Sequence, residues 1–246
     1  MSKGQSIVIT SGKGGTGKTS TAAGIAACLA AMGFRTLCID TDIGLRNLDL
    51  TLGMSEELLM DFTDVIQNRC TLERACLKHP TVEQLYLLTA PVTLPEGVDE
   101  TDMIALLRQV RETFDYCIID CPAGVGRGFA LATCAADQAV VVCNPDSASL
   151  RDGQATAVRL RRLNIPLRLV VNRVRPRLLH KMRMDIDDVM DTTGLPLLGV
   201  IPEDEKVPLA AARGVSIITA TRKGAARAYY NIAKRITGQR VPLMRI

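Results

Sequence analysis

Eight residues, Gly12-Lys13-Gly14-Gly15-Thr16-Gly17-Lys18-Thr19, follow closely on the apolar run Ser6-Ile7-Val8-Ile9-Thr10 and constrain the fold of this chain more than any other feature. They satisfy the phosphate-loop spacing G-x-x-x-x-G-K-T, which requires a strand before it and a helix after it. Glycine at positions 12, 14, 15 and 17 frees the backbone and leaves room for phosphate beside exposed N–H groups. Lys18 is placed to neutralise β- and γ-phosphates, and Thr19 to offer its hydroxyl to Mg²⁺. The lysine–threonine pair makes a nicotinamide site a poor match. Lys13 is an extra lysine that the pattern does not need.

The rest of the chain repeats the strand-then-helix order. Strands are expected at Ile7–Thr10, Thr36–Asp40, Leu85–Thr89, Tyr116–Asp120, Ala139–Cys143, Leu167–Asn172 and Leu197–Ile201. Helices are expected around Thr19–Met32, Asp102–Glu112, Asp152–Leu163, Ile186–Thr192 and Ala225–Ile236. Nearly continuous apolar strands alternating with helices predict an α/β fold, with a mostly parallel central sheet covered by helices on both faces. No repeat or low-complexity linker calls for a second domain, so residues 1–246 are expected to form one phosphate-loop NTPase domain. Residues 222–246 are read as a terminal helix and short basic end of that domain. With 47% apolar residues but only four Phe, four Tyr and no Trp, aliphatic side chains must fill the core, and little is left to stack on nucleic-acid bases.

No secretion leader or membrane-length apolar run is visible, so the chain is expected in the cytoplasm. Its eight cysteines include no C-x-x-C pair, and most fall in apolar runs that suit buried thiols rather than zinc or disulfides. The net charge of +4 is unevenly spread. Nine Lys or Arg and no acid fall between Val158 and Met184, and nine more with no acid between Lys206 and Ile246. Such stretches fit an anionic membrane, a nucleic acid or a solvated face balanced elsewhere.

Two acidic strand ends complete the expected site. Asp120 closes an apolar strand and precedes Cys121-Pro122-Ala123-Gly124, where a carboxylate can hold Mg²⁺ through water. In Asp40-Thr41-Asp42, Asp42 is assigned to the attacking water and the metal site, with Asp40 supporting the network. Together these residues suit phosphoryl transfer to water, with Lys18 and Mg²⁺ offsetting phosphate charge.

Several blocks resemble the MinD/ParA deviant phosphate-loop ATPases. They are Lys13–Thr19, Asp40-Thr41-Asp42-Ile43-Gly44-Leu45-Arg46-Asn47-Leu48-Asp49, Asp120–Gly124, Asn144-Pro145-Asp146 with Arg151-Asp152, Gly199–Asp204 and Asn231–Gly238 with Val241–Met244. The resemblance implies an ATP-dependent homodimer that switches with nucleotide and regulates placement of the division septum. It implies that Lys13 crosses to the nucleotide of the other subunit. It also implies that Asn172 and Pro202-Glu203-Asp204 lie near adenine, and that the surface at Asp152 meets a division inhibitor and a topological regulator. An alternative within the same chemistry is a DNA-segregation ATPase of the ParA kind, binding nonspecific DNA. A third reading is a nucleotide-controlled structural adaptor with slow hydrolysis.

Two departures are visible. Asp146 stands where glutamate is usual, shortening the reach to a cross-dimer ribose. The family commonly continues into a basic amphipathic helix that binds anionic membrane when dimerised, whereas this chain stops at Ile246. The apolar stripe of Ala225, Tyr229, Ile232 and Ile236 is small and carries no Phe or Trp, so Ala225–Ile236 is expected to pack on the domain rather than insert. Peripheral attachment to the inner face of the cell membrane stays open.

Overall fold

The computed structural model describes residues 4–54, 60–124 and 126–244. In chain order these form β1 (Gln5–Thr10), α1 (Lys18–Ala31), β2 (Thr36–Asp40), α2 (Leu48–Leu52), α3 (Phe62–Ile66), α4 (Leu72–Ala75), β3 (Leu77–Lys78) and β4 (Leu85–Leu88). There follow α5 (Glu100–Thr113), β5 (Tyr116–Asp120), α6 (Arg127–Thr133), β6 (Gln138–Cys143), α7 (Ser147–Leu160) and β7 (Leu167–Val174). The chain ends through α8 (Pro176–Met182), α9 (Ile186–Thr193), β8 (Leu197–Pro202), α10 (Lys206–Ala212), α11 (Ile217–Ala220) and α12 (Ala225–Ile236).

The strands build one sheet in the order β3-β4-β2-β5-β1-β6-β7-β8. Every pairing is parallel except that of the two-residue edge strand β3 with β4. Alternation along the strands feeds two cores. Val8, Ile39 and Ile119 face α5, α6, α7 and α9, while Ile7, Ile9 and Ile118 face α1, α2 and α12. The fold is therefore a single α/β phosphate-loop NTPase domain with a mixed, mostly parallel sheet and helices on both faces. Strand order reverses around central β1, which places a crevice at the carboxyl ends of β1, β2 and β5.

The expected elements form with small shifts that have local causes. Helix α7 starts at Ser147 rather than near Asp152, because the Asp146 carboxylate caps it by accepting from the Ser149 N–H at 2.9 Å. Likewise the Asp99–Asp102 capping box starts α5 at Glu100. Strand β7 runs two residues beyond Asn172 across a bulge. Helix α12 buries Ala225, Tyr229, Ile232 and Ala233, and Gly24 in α1 leaves the space that the Tyr229 ring fills. That terminal helix packs on the domain, as its small apolar stripe predicts. Among the described residues, no helix is long and apolar enough to cross a membrane.

Candidate nucleotide site

Strand β1 ends at Thr10 and helix α1 begins at Lys18, so residues 11–17 form the loop that joins them. Gly15 and Gly17 adopt φ of 77° and 89°, a left-handed backbone open to glycine at little cost. Ser11 braces the loop by donating its hydroxyl to the Lys13 carbonyl at 2.8 Å. Gly12 serves packing. A Cβ there would strike the Asp152 backbone, so α7 rests directly on the loop.

The loop and first turn of α1 are rich in unused donors. The Gly17 cap offers no side-chain bond, the first turn carries no acid, and the N–H groups from Gly14 to Thr19 find no backbone acceptor among the described residues. A helix start of this kind attracts anions. Lys18 is buried and has no carboxylate within ion-pair distance among the described residues, whereas Lys13, Gly14 and Gly15 are exposed. The buried Thr16 hydroxyl also lacks a partner.

The neighbouring strand ends supply the carboxylates. Asp40 and Asp120 are direct partners across β2 and β5, and both are buried. Asp120 Oδ1 has no hydrogen-bond partner. Burial raises the Asp120 carboxyl to about 7; the Thr19 hydroxyl opposes that shift, Asp40 reinforces it and Lys18 opposes it. Burial also raises Asp40 to about 6, against the pull of two backbone N–H groups. Those donors come from Asp42 at 2.8 Å and Leu48 at 3.3 Å, so Asp40 shapes the Asp40–Asp49 segment. Asp42 is half-buried, and its carboxylate forms no ion pair among the described residues.

Sequence reasoning assigned no role to Arg46. Its Nε donates to the Ala90 carbonyl at 2.7 Å, and its guanidinium lies 3.7 Å from Asp61, tying the Asp42-bearing segment to the domain. Its backbone sits at φ 39°, unusual for a side chain of this size. The tie spans 44 positions, which is why the sequence pattern concealed it.

The residues expected beside a base are placed differently. Asn172 and Arg173 on β7 oppose Ile201 alone on β8, a bulge that puts Arg173 at φ 54°. Asn172 thereby points inward and donates its amide to the Thr16 carbonyl at 2.7 Å. Pro202 ends β8 half-exposed. Glu203 pairs with Arg175 through its carboxylate, which holds that carboxyl below its usual range. Asp204 accepts from Lys206 and Ala225 N–H groups, each at 3.0 Å, and so pins the start of α12. Asp146 and Asp152 both lie on or beside α7, Asp146 as its cap and Asp152 half-exposed.

The donor set fits a magnesium–nucleoside triphosphate. An uncapped helix start, a buried lysine and an orphaned hydroxyl match anionic phosphate, while the unpartnered Asp120 oxygen beside Thr19 matches a hard cation.

A family description covering the CobQ/CobB/MinD/ParA nucleotide-binding domain matches residues 7–217. The chain belongs to the MinD/ParA family of deviant phosphate-loop ATPases. Within that family it is closely related to the septum site-determining MinD proteins. The Bacillus subtilis septum site-determining protein MinD is 40% identical over 245 residues, covering 98% of this chain and 91% of that protein. The MinC:MinD cell division complex of Aquifex aeolicus superposes with a TM-score of 0.91 at 33% identity, covering 98% of each chain. MinD of Pyrococcus horikoshii in complex with Mg-ADP superposes at 0.82 with 26% identity, covering 94% of this chain and 95% of that one.

Proposed function

We propose that this chain is a MinD-like ATPase, an ATP-dependent dimeric switch that regulates where the division septum forms. The observation that carries the reading is the set of unsatisfied groups at the carboxyl ends of β1, β2 and β5. Lys18 is buried without a carboxylate partner, Asp120 keeps one oxygen free, and the phosphate loop presents unused N–H groups.

Gly14, Gly15, Thr16 and Gly17 cradle the phosphates through the backbone, and Lys18 offsets their charge. Thr19 and Asp120 would hold Mg²⁺, and the ion would supply positive charge to the β- and γ-phosphates there. Asp42 orients the water that attacks. Its freedom from protein partners suits that task, and Arg46 keeps its segment in place. Lys13, exposed at the loop tip, reaches the nucleotide of a second copy, so loss of γ-phosphate loosens the dimer. Base contact falls to Asn172, the Pro202 ring and the backbone of Glu203-Asp204, whose side chains are tied to the protein; Asn172 gives its amide N–H to Thr16 and leaves its carbonyl oxygen for an adenine amino group. The likeness to the Aquifex MinC:MinD complex supports a division inhibitor as partner, with α7 around Asp152 as its surface; a topological regulator would share that surface. The protein works in the cytoplasm and peripherally on the inner membrane face.

The test follows ATP-dependent dimerisation, phosphate release and recruitment to division inhibitor in parallel. The parent is expected to dimerise with ATP and not ADP. Lys13→Ala is expected to bind ATP without dimerising, and Asp42→Ala to dimerise with little turnover. A Lys13→Ala protein that still dimerised with ATP would remove the switch. Strong ATP-dependent binding to duplex DNA without inhibitor binding would move the chain to the DNA-segregation reading.

A further inference from the structure

Helices α1, α11 and α12 enclose a cavity of about 510 Å³ on the face of the sheet opposite α5 and α7. Its floor is apolar. Cys28 of α1 and Ala226 of α12 are 1% and 4% exposed there, and Ile218 of α11 lines the cavity beside them. Cys28 stands ten positions beyond Lys18 in α1, about 15 Å along the helix axis, so the cavity is separate from the phosphate loop. Nothing in the nucleotide chemistry above uses these residues.

The mouth is cationic. Arg222 and Arg227 line it and are exposed. Tyr230 is 39% exposed at the same mouth, and the Lys234 ammonium lies 4.8 Å from its ring centroid. Among the described residues, Arg222, Arg227 and Lys234 have no carboxylate within ion-pair distance. None of the three helices that wall the cavity contains an Asp or Glu. Asp204, which pins the start of α12, spends its two carboxylate oxygens on the Lys206 and Ala225 N–H groups. Three cations without an acid on the walls to offset them give a recess of low dielectric a positive potential, and the recess focuses it.

We propose that this cavity binds a small organic anion, an apolar body that carries a phosphate or carboxylate group. Small-molecule sites hold roughly 300–1,000 Å³ and combine apolar walls with a few polar groups that fix orientation, and this cavity has both properties. The body rests on Cys28, Ala226 and Ile218. Arg222 and Arg227 take the acidic group, since a guanidinium pairs with either oxyanion through parallel N–H bonds. Duplex DNA would reward the rim arginines alone and leave the recessed floor empty.

Residue-resolved amide NMR on the full chain with Mg-ADP tests the assignment. The titrants are 1-naphthyl phosphate, 1-naphthoate, uncharged 1-naphthol and inorganic phosphate. At least one naphthyl anion is expected to shift the Cys28, Ile218 and Ala226 signals to saturation, and the tighter of the two identifies the acidic group. 1-Naphthol and inorganic phosphate should each bind at least about tenfold more weakly. Arg222→Gln together with Arg227→Gln should weaken the naphthyl anion by a similar factor and leave ATP affinity unchanged. Ala31→Phe, at an exposed position on the α1 wall, should obstruct the cavity and have the same effect. Signals from Gly14 to Thr19 report the phosphate loop separately, so a failure of nucleotide binding is told apart from a failure here. No saturable shift at the three floor residues would overturn the proposal. So would equal binding of 1-naphthol or of inorganic phosphate, or full affinity in the double glutamine variant.

Discussion

The two halves of the crevice handle their polar groups in opposite ways. On the phosphate half, Asp120 leaves an oxygen unpartnered, Thr16 leaves its hydroxyl unpartnered, and Lys18 is buried without a counter-ion. On the half proposed to meet a base, the polar groups are tied to the protein. Asn172 holds the Thr16 carbonyl, Glu203 holds Arg175, and Asp204 holds two backbone N–H groups. Buried polar groups are ordinarily satisfied, so the unsatisfied half is the one shaped for a charged ligand. The satisfied half shapes the crevice, and under the proposed function it leaves backbone, the Asn172 carbonyl and the Pro202 ring for a base.

The largest effect that sharpens this contrast is expected at Lys18. Lys18→Ala removes a charge-assisted contact to phosphate worth about 3 kcal/mol, so ATP affinity should fall on the order of 100-fold or more. Equilibrium binding of a fluorescent ATP analogue checks this, and near-parental affinity would break the phosphate-half assignment. Next comes the buried carboxylate pair. Without metal, the Asp120 carboxyl is raised to about 7 and Asp40 to about 6, both far above the unfolded value of 3.8. The folded state then binds protons that the unfolded state releases. Their stabilising contribution is complete below about pH 4 and is lost as pH rises to about 7. Asp120→Asn should therefore gain stability over the parent as pH rises, on the order of a few kcal/mol by pH 8 in chelator. Thermal melting from pH 4.5 to 8 reads this directly; a gap that did not widen with pH would contradict it. Added Mg²⁺ and ATP should reverse the ranking at pH 8.

This contrast also divides what the sequence made legible. The parallel α/β sheet was readable because buried strands are continuous apolar runs and the glycine loop demands a strand before it and a helix after it. Lys18, Thr19, Asp42 and Asp120 could be nominated because they sit at strand ends or in a spaced motif, and the fold gathers Lys18, Thr19 and Asp120 at one end of the sheet. The links that hold them were hidden, since each depends on distant partners. Arg46 reaches Ala90, Asn172 reaches Thr16, and Gly12 accepts the Asp152 backbone. The two-residue strand β3 carries too few positions for an alternation to register. Asp146 shows how the same substitution reads in both languages. Viewed as a nucleotide contact it is a shortened glutamate, whereas in the fold it is a good helix cap.

A smaller effect is expected at Asp204. Asp204→Ala frees the Ala225 and Lys206 N–H groups and should cost about 1–2 kcal/mol of folding stability, with α12 loosening first. The adjacent Gly224, at φ 58°, has no side chain with which to take over the bond. ATP affinity should stay within about twofold of the parent at a temperature where both are folded, well under the tenfold that 1.4 kcal/mol represents. Chemical denaturation and nucleotide titration on the same preparation separate the two. A large loss of affinity with unchanged stability would make Asp204 a ligand group and erase the difference between the halves.

The smallest effect belongs to Glu203. Its partner Arg175 is exposed, and an exposed ion pair is screened by salt and offset by the ordering of two long side chains. Glu203→Gln should leave the melting temperature unchanged at physiological salt. ATP affinity should stay close to that of the parent, because the Glu203 carboxylate is taken up by Arg175 rather than turned to a ligand. Weaker ATP binding would show instead that Glu203 leaves Arg175 to meet the nucleotide, and the base half would then hold one ligand group in reserve. Because the two outcomes differ in nucleotide affinity, one conservative substitution separates a rim charge from a base contact.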